Sequence, residues 1–137
     1  MNFYRLSNVL VAVCMSVFVA GAQNQPPQTP EEREKQLLEF VDKEVQRLST
    51  MLELEYWQEF YVDSTLTHDY KAMAEEMEEL QKAKVENRDL YVNVQDKWMQ
   101  QIDDSYKRFF TEEQWKKYMK NGAKRSKDAR DKRNKKK

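Results

Sequence analysis

LEYWQEFYVDSTLTHDYKAMAEEMEELQKAK, residues 54–84, contains neither glycine nor proline. Leu66, Tyr70, Met73, Met77 and Leu80 recur through it at alternating steps of four and three. That spacing lines one face of a helix with apolar side chains, as in a heptad seam. At 1.5 Å per residue such a helix reaches ~45 Å, too long to be enclosed by a compact globule of this size, so it must lie along another long helix. Beyond Pro30 the only residue of either type is Gly122. Turns between strands draw heavily on glycine and proline, so a chain this poor in both reads as all-α.

The stretches on either side carry the same kind of pattern. Thr29-Pro30-Glu31-Glu32 combines a capping residue, proline at the first helical position and acidic residues in the first turn, the usual opening of a helix. Leu37, Val41, Val45, Leu48 and Leu52 then form one apolar stripe. After residue 84 the polar run 85–89 is the expected reversal, with Asn87 or Asp89 as the next cap. Polar positions 84 and 87 keep the heptad phase, so a single unbroken helix is the alternative. Tyr91, Val94, Trp98, Ile102, Tyr106 and Phe109 continue the spacing. A short final helix follows. Thr111 and Gln114 match a capping box, Phe110 can staple the entry, and Trp115, Tyr118 and Met119 form its inward face. Gly122 is suited to the left-handed residue at its end. The expected architecture is four helices, the middle two forming a long antiparallel hairpin.

The beginning of the chain reads differently. Residues 1–5 end in Arg5, residues 6–19 are almost wholly apolar, and Ala20-Gly21-Ala22 offers an A-x-A cleavage site. This is the pattern of a secretory signal peptide over residues 1–22. A membrane anchor is the alternative, but an apolar run of about 14 is short for the ~20 residues of a span. The expected location is periplasmic or secreted. Cys14 lies in this leader, so residues 23–137 hold no cysteine and must cohere by packing alone. Residues 23–28 read as a disordered leader, 29–122 as the helical domain, and 123–137 as a basic tail unable to bury enough surface to order itself. Residues 23–110 carry 11 basic and 20 acidic side chains, net −9, and residues 111–137 carry 12 and 4, net +8. An acidic body with a basic tail does not suggest a nucleic-acid binder. The tail would instead make weak contact with an anionic membrane surface or simply aid solubility.

No catalytic constellation emerges. His68 is the only histidine and no thiol follows the leader, so a nucleophile–base pair has little to draw on. Ser64, Thr65, Lys71 and Ala72 surround His68 on its face and make a poor ligand set. The carboxylates of residues 75–80 read as a solvated helix face, and no glycine-rich loop offers a phosphate cradle. The reading is of a protein that is not an enzyme and uses no cofactor and no metal. What stands out is apolar surface: thirteen aromatic residues and five methionines lie within residues 23–137. Tyr56, Trp57, Phe60 and Tyr61 crowd several sides of one helix start and cannot all face one seam. With Met73, Met77, Trp98 and Met99 they are the expected surface for binding client proteins, for dimerisation, or for both.

Phe110-Thr111-Glu112-Glu113-Gln114 is similar to the L-T-x-x-Q motif of the Spy/CpxP family of periplasmic stress proteins. Leu54-Glu55-Tyr56-Trp57-Gln58 looks like a degraded first copy, with Glu55 in place of threonine. The resemblance covers roughly residues 30–122. It implies a small exported helical protein, a curved antiparallel homodimer, and a surface that holds unfolding envelope proteins without ATP. Some relatives are instead metal-responsive or regulatory in the envelope stress response. The alternatives to a holdase-like chaperone are therefore such a regulatory protein or a structural helical accessory protein.

Overall fold

The structure is a computed structural model that describes residues 28–135. The signal peptide expected over residues 1–22, and nearly all of the segment 23–28 expected to be disordered, lie outside the described residues. The chain divides at Pro30 into two units, and the second, from Glu31 onward, holds all the packing described below.

The fold is all-α, and no strand occurs among the described residues. Helix α1 spans Pro30–Leu52, α2 Tyr56–Lys82, α3 Arg88–Phe109 and α4 Glu112–Tyr118. A π-type turn, Met119–Ala123, leads into α5, Lys124–Asn134. The reversal between α2 and α3 is a turn and not a continuous helix, and the Asn87 side chain caps α3 by accepting from the Asp89 N–H at 2.9 Å.

Neither reversal uses glycine. Glu53 (φ 53°) and Lys84 (φ 52°) take the left-handed conformation just beyond α1 and α2. The Leu54 N–H donates to the Ser49 carbonyl at 3.2 Å and the Val85 N–H to the Leu80 carbonyl at 3.0 Å. These bonds close the helix ends as a Schellman motif does, satisfying carbonyls that would otherwise be orphaned.

Helices α1 and α2 run antiparallel. Phe40 meets Tyr70 edge to face at 5.1 Å, Arg33 pairs with Glu78 at 3.5 Å, and the Ser49 hydroxyl donates to Glu59. Helices α2 and α3 form the antiparallel hairpin. Tyr70 reaches Met99, Gln101 donates to Asp69 at 3.0 Å, and Lys97 pairs with Glu76. One core joins all three: Val41, Leu48 and Leu52 from α1, Val62 and Leu66 from α2, Ile102 and Tyr106 from α3, with Phe110 after it. Each such side chain contributes roughly 1.5–3 kcal/mol on burial. Phe110 stacks on Tyr106 at 4.9 Å, while Trp115 and Tyr118 of α4 pack against the same cluster.

One expectation needs correction. The basic tail is not mobile throughout: residues 124–134 form α5, which folds back on α3. Asn121 and Gly122 (φ 110°) leave the helical conformation, so Gly122 supplies the positive-φ residue expected at the end of the short helix, and α5 begins beyond the kink. The tail has almost no apolar surface, and it is charge that holds it. The Arg130 guanidinium donates to Asp103, both groups being buried, and Arg133 grips Asp96 with two bonds of 2.7 and 2.6 Å. Bidentate arginine–carboxylate bonds are among the stronger ionic contacts available.

Candidate binding surface

The two motif glutamines meet. Gln58 Nε2 donates to Gln114 Oε1 at 2.7 Å, and Gln114 Nε2 donates to Gln58 Oε1 at 2.9 Å. Each oxygen also caps its own helix: Gln58 Oε1 accepts from the Glu55 N–H at 3.0 Å, Gln114 Oε1 from the Thr111 N–H at 2.9 Å. Each nitrogen reaches a carbonyl at the end of another helix. Gln58 donates to the Phe109 carbonyl at 2.9 Å and Gln114 to the Leu52 carbonyl at 3.4 Å. The starts of α2 and α4 and the ends of α1 and α3 are thus tied at one point. Gln58 is buried there, and every donor and acceptor of its amide has a partner. The Thr111 hydroxyl completes its box by accepting from the Gln114 N–H at 3.2 Å. Leu54 and Phe110 pack into the core beside this node.

From this anchored start α2 presents its aromatics outward. Tyr56 is 88% exposed, Phe60 64%, Tyr61 51% and Trp57 46%. They are not scattered. Trp57 and Phe60 both meet Tyr61 edge to face, at 6.1 and 5.8 Å, and Tyr61 lies against Phe109 at 5.7 Å. The Trp57 indole donates to Glu55 at 2.7 Å, which fixes its ring at the edge of the group. Soluble proteins rarely leave large aromatic rings grouped at the surface without a use.

The other four residues expected on this surface sit elsewhere. Met77 is buried, and Met73, Trp98 and Met99 are half-buried along the α2–α3 hairpin. They belong to the seam, because their spacing is that of residues facing the partner helix. His68 is exposed, its Nδ1 2.7 Å from Asp69 Oδ1. Asp69 is buried, and its Oδ2 has no partner, nor does the half-buried Trp98 Nε1. No group of three or more metal-ligating side chains occurs among the described residues. No helix among them is long and apolar enough to cross a membrane.

A second cluster was not anticipated. Asp103 receives Arg130 and also the Tyr118 hydroxyl, at 2.8 Å. Burial, and then the Asp103 charge and its hydrogen bond, push the Tyr118 phenol well above its usual range. Tyr106 is raised likewise, chiefly by burial. Bonding to Asp96 raises Arg133. A signal for the acidic half was present, since Asp96 and Asp103 lie seven apart beside Met99 and Ile102 on the inward side of α3. Nothing in the tail distinguishes Arg130 and Arg133 from the cations around them.

Comparison with family models, curated proteins and solved structures finds no match. Function must therefore be read from the side chains.

Proposed function

We propose that this protein is an ATP-independent, holdase-like chaperone that binds exposed apolar segments of unfolded or aggregation-prone envelope proteins after export. One observation carries the reading: Trp57, Phe60 and Tyr61 form a contiguous exposed aromatic surface, with Tyr56 exposed on the same helix start, which the Gln58–Gln114 node ties to the rest of the fold. A preorganised aromatic surface loses little entropy on binding, and grouped rings favour many apolar sequences over one. The resemblance of residues 54–58 and 110–114 to the L-T-x-x-Q motif adds the class of activity and the periplasmic setting. Holding requires no group transfer and no cofactor. The same surface, doubled in a homodimer, would offer a wider area to a client chain.

Suppression of aggregation of a chemically denatured client by the purified protein tests the reading. The unaltered chain should reduce light scattering near stoichiometric ratios without ATP. Tyr56→Ser/Phe60→Ser, which touches only exposed rings, should lose most of this effect while melting at the same temperature. Scattering unchanged by the unaltered chain, or suppressed equally by the double variant, overturns it.

A further inference from the structure

We infer that the outward side of α5 is a docking face for the surface of an anionic phospholipid bilayer. Arg130 and Arg133 are committed inward, to Asp103 and Asp96 on α3. Arg125 and Lys132 lie seven positions apart on the opposite side of the helix from Arg130, and both are exposed without an ion pair. Lys135 follows them on the same side, exposed, and the sequence continues as Lys136-Lys137. From residue 125 to residue 135 the row spans ~15 Å at the helical rise. Asp128 lies between Arg125 and Lys132 on this side and pairs with Lys124 at 2.8 Å, so the face presents Arg125, Lys132 and Lys135 around one carboxylate that Lys124 offsets. The two inward arginines hold this basic face in place, so the ordering cost of a mobile tail does not fall on binding.

The chemistry of the row favours a bilayer over other polyanions. Its residues from Lys124 to Asn134 include no aromatic ring to stack on bases and, beyond Ala129, no apolar side chain to seat in a polypeptide groove. A lattice of lipid phosphates needs neither, because it attracts a net basic face without shape matching. Residues 23–110 are net −9, so an anionic plane repels that part of the chain and attracts only this end. Binding therefore has one orientation, with α5 down. This inference uses none of the aromatic surface and stands independently of the chaperone reading.

The test is co-sedimentation of the chain from Gln23 onward, which keeps every described residue, with vesicles containing phosphatidylglycerol or with pure phosphatidylcholine. Binding should be confined to the phosphatidylglycerol vesicles and should fall steeply as salt rises, since the contact is screened. Each exposed basic side chain contributes roughly fivefold to partitioning, so Arg125→Gln/Lys132→Gln should weaken binding roughly 25-fold. The helical melt and client holding of that variant should not change. Equal binding to the two vesicle types overturns the inference, as does a double variant that binds as well as the parent. Tighter binding to DNA or to polyglutamate than to the anionic vesicles at equal salt also overturns it, and makes the face a site for that polymer.

Discussion

Gln58 and Gln114, 56 positions apart in the chain, hold each other through two amide hydrogen bonds of 2.7 and 2.9 Å while each caps its own helix. An amide is the one uncharged side-chain group that both donates twice and accepts twice. That is why a pair of carboxamides can join two caps and two helix-end carbonyls without leaving a charge inside.

Gln58→Ala should cost about 2 kcal/mol, because it strands the Glu55 N–H, the Phe109 carbonyl and half of the Gln114 amide. Gln114→Ala should cost less, since it is only half-buried. The double variant should be markedly less destabilised than the sum, with a coupling of about 1 kcal/mol or more. Urea denaturation of the four proteins measures it; strict additivity would mean that the two amides act separately. Thr111→Ala, which removes only the hydroxyl cap, should cost about 1 kcal/mol.

Arg130→Met should cost about 3 kcal/mol, since it leaves the buried Asp103 without its cation. Release of α5 lets Asp103 rehydrate, which keeps the loss at the lower end of the range for broken buried pairs. Amide hydrogen exchange over residues 124–134 should accelerate far more than exchange over α2. Arg130→Met/Asp103→Leu should recover much of the stability. An unchanged exchange pattern in Arg130→Met would show that α5 is held by something else.

Lys84→Gly should stabilise the protein by about 1 kcal/mol. Lys84 sits at φ 52°, where a side chain crowds the following carbonyl and glycine does not. A thermal melt reads the sign directly: a lowered midpoint would mean that the Lys84 side chain contributes more than its conformation costs.

Alkaline unfolding should follow two phenols of the core cluster, Tyr106, which is buried, and Tyr118, which is half-buried. The folded pKa values of Tyr106 and Tyr118 lie well above the usual 10.0, mainly through burial. Below that value both phenols are protonated in either state, and their contribution to stability is fully present. Above it the unfolded chain releases protons that the folded chain retains, so stability falls as pH rises toward the folded pKa values. The slope is about 1.4 kcal/mol per pH unit for each phenol. Tyrosinate absorbance recorded with circular dichroism should show these two ionising together with unfolding, and Tyr106→Phe should roughly halve the slope. Ionisation of both phenols before any loss of helix would contradict this coupling to the fold.

The sequence by itself determined the elements. The stripe Leu37–Val41–Val45–Leu48–Leu52, the heptad-like seam of α2 and the capping box at Thr111 are local patterns, and each became the helix or helix start its spacing demands. It also marked Tyr56, Trp57, Phe60 and Tyr61 as too many rings for one seam, because four aromatics within two turns must point in several directions. Only the tertiary structure decided that Met73, Met77 and Met99 lie in the α2–α3 seam and not on the binding surface, since periodicity finds the apolar face of a helix but not which neighbour covers it. Glu53 and Lys84 turn the chain without glycine because packed helices on both sides impose a conformation their own preferences oppose. Composition alone left residues 124–134 disordered, because hydrophobic burial cannot order them. Charge pairing across 27 and 37 positions does so instead, through Asp103 with Arg130 and Asp96 with Arg133. Such pairs depend on where two helices meet in space, and no local pattern records that.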